Sequence, residues 1–382
     1  MSARILVIGA GLGGLTAALA LRQAGFAVEV HEAAVALGEA GAGLTLSRGA
    51  QSVFRHLGLQ DQVAGIATPS TAFPFVHYRT GALLAGRIDH AAGLPDDGTA
   101  DIARQCHRAD LHAVLAGAVG DVRLGHRLAD VEETAHGVRA TFADGSTAEG
   151  DALVAADGVR SAVRPILWGD EPPRFTGQIA FRFLLDRAIA ASFLEHGRGA
   201  VFVGPRRTFN RYTLRGGALL NCVGIAATDG WADEGWSTLA GPDEMPAAFE
   251  GWHPSVTGLI ERARSPIKWG IFDRAPLPRW SSGRVTLLGD AAHAMLPFLG
   301  MGAAMAIEDG MILARAFKAD ATVDAAFARY EAARRPRTAL IHAKSVEQGA
   351  LTQARDPERY DAAAAPAGDA SILGYDPVTA PI

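Results

Sequence analysis

Gly9-Ala10-Gly11-Leu12-Gly13-Gly14 spaces its glycines as a backbone must when it closes on a phosphate. The apolar run over residues 4–8 reads as a buried parallel strand. The alanine- and leucine-rich stretch after the glycines reads as a helix to about residue 23, stopped by Gly25. Gly9 then permits the tight turn, Gly11 lets the main chain approach a pyrophosphate, and Gly14 lets helix pack on strand, with Gly13 in the same cradle. The helix start offers free N–H groups and its positive dipole end. A second strand over residues 27–31 runs into Glu32, whose carboxylate can accept from the 2′- and 3′-hydroxyls of an adenosine ribose. An acid there disfavours a 2′-phosphate, so the resident dinucleotide is expected to be FAD or NAD rather than NADP.

Two later stretches share one build. Residues 152–156 form an apolar strand that ends in Asp157-Gly158, and residues 284–288 form another that ends in Gly289-Asp290-Ala291-Ala292-His293. A strand-to-helix turn capped by Asp157 or Ser161 accounts for the first without any ligand. An aspartate at the carboxyl end of a parallel strand also stands where ligands bind, and can take a ribityl or ribose hydroxyl. Gly300-Met301-Gly302-Ala303 follows, opening a further apolar segment.

With His107-Arg108-Ala109-Asp110-Leu111-His112 between them, these motifs occur in an order that resembles the single-component FAD-dependent aromatic hydroxylases, the salicylate and 6-hydroxynicotinate hydroxylases among them. The resemblance covers nearly the whole chain and extends to the tail Gly374-Tyr375-Asp376-Pro377. It implies an α/β fold: a Rossmann-like FAD-binding domain (residues 1–72, 101–173 and 275–355), an inserted antiparallel-sheet substrate domain (73–100 and 174–274) and a tail (356–382). It places Arg108 along the pyrophosphate and ribityl chain, Asp290 on the ribityl chain, and Gly300, Gly302 and Ala303 at the pyrimidine end of the flavin. A helix start there would stabilise the negative charge of reduced flavin. Asp157 and Gly158 would serve both FAD and the nicotinamide nucleotide. Gly289, Ala33 beside Glu32, and Leu128 complete the expected cofactor set. No second glycine cradle is present, which fits NADH or NADPH as a transient co-substrate. The implied activity is hydroxylation of a small aromatic or N-heteroaromatic ring by O2 through a flavin C4a-hydroperoxide. The alternatives are a flavin oxidoreductase of the same fold that does not hydroxylate, and a non-catalytic FAD-binding protein.

For the substrate pocket, the alternation over residues 208–214 puts Thr208, Asn210 and Tyr212 on one face and Phe209 and Arg211 on the other. Tyr212 is the leading candidate for a polar contact to substrate, and a half-buried sheet tyrosine is the plainer reading of it. Arg182 would bind an anionic group, although an arginine at a sheet edge is more often a surface charge. Pro297 is expected beside the flavin C4a. Hydroxynicotinate hydroxylases carry histidines where this chain has Thr45 and Thr208, and Met301 stands where glutamine is common. These exchanges predict a more apolar pocket and a different substrate. Gly41 and Ala42 open the strand that carries Thr45, residues 325–345 read as a long charged helix interrupted near Pro336, and residues 362–368 as a linker.

The rest of the chain narrows the classes. A net charge of −5 and a pI near 6.2 give no electrostatic reason to expect nucleic-acid binding. Cys106 and Cys222 lack CxxC spacing, and His107 and His112 lack a third ligand, so no metal site is expected. The uncharged stretch 5–21 is broken by glycines, which argues for strand, turn and helix over a signal or membrane segment. A cytoplasmic protein, monomer or homodimer, is expected.

Overall fold

The strand Arg4–Ile8 is buried from Ile5 onward, as its branched apolar side chains require at the centre of a parallel sheet. In the computed structural model, which describes residues 3–38, 43–70, 73–88, 103–230, 238–357 and 370–382, that strand pairs in parallel with Ala27–His31 on one side and Ala152–Ala155 on the other. Val285–Leu287 extends the sheet in parallel, and Ser281–Ser282 closes its edge antiparallel. Three of these strands end at Ile8, Ala155 and Leu287. The three glycine and aspartate turns therefore emerge at one edge of one sheet, where doubly wound folds bind their ligands. Helices Leu12–Gln23 and Gly302–Ala319 pack against each other beneath that edge. A β-carbon at Gly310 would lie 2.7 Å from the Ala17 amide nitrogen, so this approach is set by the missing side chain.

A second, eight-stranded sheet stands over that edge. Its order is Thr238–Leu239, Ile267–Asp273, Arg174–Asp186, Leu219–Ala227, Arg207–Leu214, Gly199–Gly204, Phe73–His77 and Leu83–Ile88. The expected hairpin between Arg207–Leu214 and Leu219–Ala227 is present, turning through Gly216 and Gly217 at φ 64° and 98°. The sheet is antiparallel except where Gly199–Gly204 runs parallel to Phe73–His77. That junction joins the two inserted stretches. Arg174–Asp186 is an interior strand, so Arg182 is not at a sheet edge.

The helix expected over residues 325–345 spans Val323–Thr352 and continues through Pro336 without restarting. Proline removes one amide donor, but Arg334 and Arg337 on either side are anchored in buried ion pairs that hold the helix in line. Gly41, Ala42, residues 89–100 and the linker 362–368 lie outside the described residues. Among the described residues no helix is long and apolar enough to cross a membrane.

Candidate active site

The glycines of the first turn divide by what constrains them. A β-carbon at Gly9 would lie 2.4 Å from the Ala156 carbonyl oxygen, and one at Gly14 would lie 2.0 Å from that of Gly9. Gly13 is pressed by Leu288 and Ala306. These three are glycine because the protein leaves no room. Gly11 is different: a β-carbon there meets no atom of the described residues within 4 Å, and its φ of −69° suits any residue. Gly302 is equally open. Both front the same cavity, so the space that a side chain would fill is ligand space. Helices Leu12–Gln23 and Gly302–Ala319 begin there with no side-chain cap and no acid in the first turn. Their free N–H groups and positive dipole ends face whatever occupies the cavity. A group that carries a pyrophosphate and, beyond a short chain, a heterocycle that gains negative charge on reduction, as FAD does, fits this pair of helix starts.

The turn that carries Asp290 is held from behind. Asp309, fully buried, accepts from the Gly289 N–H at 3.0 Å and from His293 Nε2 at 2.6 Å through one carboxylate oxygen. Its other oxygen accepts from Arg334 Nε at 2.6 Å, and Arg334 also reaches buried Glu308 at 2.9 Å. Burial alone would raise the Asp309 pKa, but His293 and Arg334 together hold it below the usual carboxylate range. From the opposite side buried Arg164 donates to the Ala291 and Ala292 carbonyls at 3.3 and 3.4 Å. Asp290 itself stays exposed to the cavity, its carboxylate available to a ligand hydroxyl.

The cavity has a volume of about 420 Å³ and joins the two sheets. On the cofactor side it is lined by Gly11, Gly13, Arg108, Gly158, Gly289, Asp290, Gly300, Gly302 and Ala303. Thr45, Arg182, Thr208, Tyr212 and Pro297 line it as well. Asn210 shares the face of Thr208 and Tyr212, while Phe209 and Arg211 turn into the core on the other side. Tyr212 lies flat against Gly43, whose β-carbon would sit 2.5 Å from the phenol oxygen. The Arg182 guanidinium stacks on Trp269 at 4.4 Å. Burial pulls the Arg182 pKa down to about 10, Tyr212 opposing this and Arg108 adding to it. No carboxylate among the described residues pairs with it, so it is a desolvated cation facing the cavity. A smaller cavity of about 210 Å³ shares Arg182, Trp269, Asp290 and Pro297 and continues to Val159 and Phe272.

Six expected cofactor residues do not line the cavity. Gly9 and Gly14 shape the turn from within. Glu32 accepts from the Ala10 and Ala34 N–H groups at 2.8 Å each, bracing that turn while each oxygen keeps a lone pair for a hydroxyl. The Glu32–Ala33–Ala34 stretch hydrogen-bonds to Arg123, Gly125 and His126, just before the strand that starts at Leu128. Asp157 caps the helix Val163–Trp168, accepting from the Ala162 and Val163 N–H groups at 2.8 and 3.4 Å, and its Oδ1 is buried without a partner among the described residues. His112 donates to the Ala10 carbonyl at 2.8 Å, which gives that histidine a bracing role.

Sequence reading missed Gln348 and Thr352, which line the cavity from the last turns of Val323–Thr352. Gln353, just beyond, donates to Thr208 Oγ1 at 3.1 Å. Gln348 brings to the cavity a polar side chain that the expectation of a more apolar pocket did not include. The helix expected from sequence ends at residue 345, so these residues fall beyond it.

Residues 2–173 and 267–345 match the FAD binding domain family. The chain is 37% identical over 349 residues to 3-amino-4-hydroxybenzoate 2-monooxygenase of Streptomyces platensis, covering 91% of this chain and 87% of that one. It is 35% identical over 363 residues to 6-hydroxynicotinate 3-monooxygenase of Pseudomonas fluorescens, covering 93% and 94%. Its fold superposes on Klebsiella pneumoniae HpxO, crystallised with FAD and uric acid, with a TM-score of 0.82 at 29% identity, covering 96% and 93%.

Proposed function

This chain belongs to the FAD-dependent monooxygenases of small aromatic and heteroaromatic rings, and on that footing we propose that its substrate is a hydroxylated ring acid, with NADH or NADPH as electron donor and O2 as oxidant. One observation carries the reading: a single cavity joins the open glycine cradle to a wall that holds Arg182, a cation with no carboxylate partner among the described residues, and a buried phenol, Tyr212. Bound FAD supplies electron transfer and oxygen activation. The chain's own residues do the rest. Gly11 and Gly302 would leave their backbone open to the cofactor's pyrophosphate and flavin ring, and Arg108 and Asp290 would hold the stretch between them. Arg182 takes the substrate carboxylate, since a desolvated guanidinium gains most from an anion that arrives with few waters. Tyr212 donates to an oxygen substituent on the ring. Leu296, Pro297 and Phe298 form an apolar wall that keeps water from the reacting face.

Denaturation of the purified protein should release FAD, and a screen of hydroxylated aromatic and heteroaromatic acids should reveal one that raises NADH or NADPH oxidation and leaves with one added oxygen by mass. If every acid leaves the oxidation rate unchanged, the chain is an FAD-binding protein or a non-hydroxylating oxidoreductase. Arg182→Met should raise the KM for the carboxylate substrate roughly 100-fold, with little change for its carboxamide analogue. Equal losses for both would remove Arg182 from carboxylate binding.

A further inference from the structure

Gln348 is 1% exposed, and among the described residues neither its amide oxygen nor its amide nitrogen has a hydrogen-bond partner. Because both ends lack one, the choice of which atom is oxygen does not matter. Buried amides of this kind are rarely left unsatisfied in folded proteins, and this one lines the cavity that Tyr212 and Arg182 also line. Its position is built. Gly349 brings the helix onto Phe298, where a β-carbon would come within 2.6 Å of the ring. Ser345 Oγ donates to the Leu296 carbonyl at 2.6 Å, and Gln353 holds Thr208 across the gap. The same wall carries a second orphan, the buried Oδ1 of Asn210, two residues along the strand from Thr208. Thr208 already accepts from Gln353, so its own hydroxyl hydrogen is left to give.

We propose that Gln348 is a specificity-determining residue that reads a lactam edge on the substrate, a ring N–H next to a ring C=O. A primary carboxamide presents an acceptor and a donor side by side, and a cis-lactam presents their complements at the same spacing, so one ligand satisfies both orphan atoms. A phenol of the same outline satisfies one and strands the other. A site whose buried groups are left unpaired by an analogue rejects that analogue strongly, whereas a site that is merely apolar discriminates weakly between isosteres. This inference rests on the hydroxylase reading above and narrows its substrate to N-heteroaromatic rings in their oxo form.

The matched probes are 6-hydroxynicotinate, whose ring is an oxo-lactam in water, and 4-hydroxybenzoate, its carbocyclic isostere with the same carboxylate. Binding to the FAD-loaded protein is read from the flavin absorbance change, which requires no turnover. The expected result is at least 10-fold tighter binding of the lactam, falling to within about 3-fold in Gln348→Met, which keeps the side-chain volume and the helix. Gln348→Glu, which keeps the acceptor but loses the donor, should weaken the lactam more than the phenol. An unchanged preference in both variants, or equal binding of the two probes in a protein whose NADH oxidation is stimulated by ring acids, would mean that water satisfies Gln348, and would overturn this proposal alone. Failure of any ring acid to perturb the flavin or stimulate oxidation would overturn the hydroxylase reading and this proposal with it.

Discussion

Tyr212 meets the cavity with its phenol protonated. Burial pushes its phenol above the ordinary value of 10, and the nearby charge of Arg182 opposes that push without cancelling it. A raised phenol pKa keeps the proton on across the neutral range and beyond. Tyr212→Phe should therefore lower kcat/KM about 10-fold through the lost hydrogen bond, while the pH profile between about pH 6 and 9 keeps the shape it has in the parent. Loss of a basic limb in the variant would show that Tyr212 titrates in that range. The side chains on this wall differed in how far sequence revealed them. Thr208, Asn210 and Tyr212 were readable because a strand alternates strictly, so one assigned face places all three. Arg182 was readable as a charge but not as a half-buried one, since its burial depends on which strands flank its own. Gln348 gave no signal. Its significance lies in the absence of partners, and an absence becomes visible only when the neighbours are in place.

The turns and helix starts can be tested as units. Gly11→Ala adds a methyl where the protein has open space and an ordinary φ. The cofactor-free protein should keep its unfolding midpoint while its FAD Kd rises at least about 10-fold, measured by flavin fluorescence. Gly14→Ala places a methyl 2.0 Å from a carbonyl oxygen and should lower the midpoint even without FAD. Equal midpoints for the two variants would show that the glycines do not divide between ligand and packing. Behind the Asp290 turn, Asp309→Asn keeps an acceptor for the Gly289 N–H but leaves Arg334 short of a charge. Breaking a buried pair in this way costs about 3–5 kcal/mol, and the turn loses its brace, so both stability and FAD affinity should fall. A variant that loses stability yet binds FAD as tightly as the parent would confine Asp309 to a structural role. The strand-turn-helix units themselves were legible because each is local: an apolar run, a glycine, an aspartate. The brace was not, because it links Gly289 and His293 to Asp309 and then to Arg334, which stands on a different helix.

Across the whole molecule the pattern is the same at larger range. The parallel sheet followed from its local units, whereas the eight-stranded sheet depends on Gly199–Gly204 finding Phe73–His77, a pairing of two inserts that no periodicity announces. The tail shows what such long-range contacts accomplish. Tyr375 covers the Arg337 and Arg334 guanidinium groups at 4.5 and 5.6 Å, and Arg337 donates to the Ile372 carbonyl at 2.8 Å. Asp376 accepts from Ser52 Oγ at 2.6 Å, and Arg315 donates to the Pro377 carbonyl at 2.7 Å. The last residues thus fasten three helices and cover the ion pairs that end at Asp309 and the Asp290 turn. Their contribution is water exclusion: Arg334 attracts Glu308 and Asp309 strongly because all three are dry. Removing residues 370–382 should admit water to that cluster, lower the unfolding midpoint by several degrees and speed FAD release. Tyr375→Ala should reproduce part of both effects, and Tyr375→Phe, which keeps the aromatic face over the arginines, should reproduce little of either. Thermal unfolding followed by flavin fluorescence reports the two together. A truncated protein that unfolds and releases flavin at the parent's temperature would show that the ion pairs hold the turn without their cover.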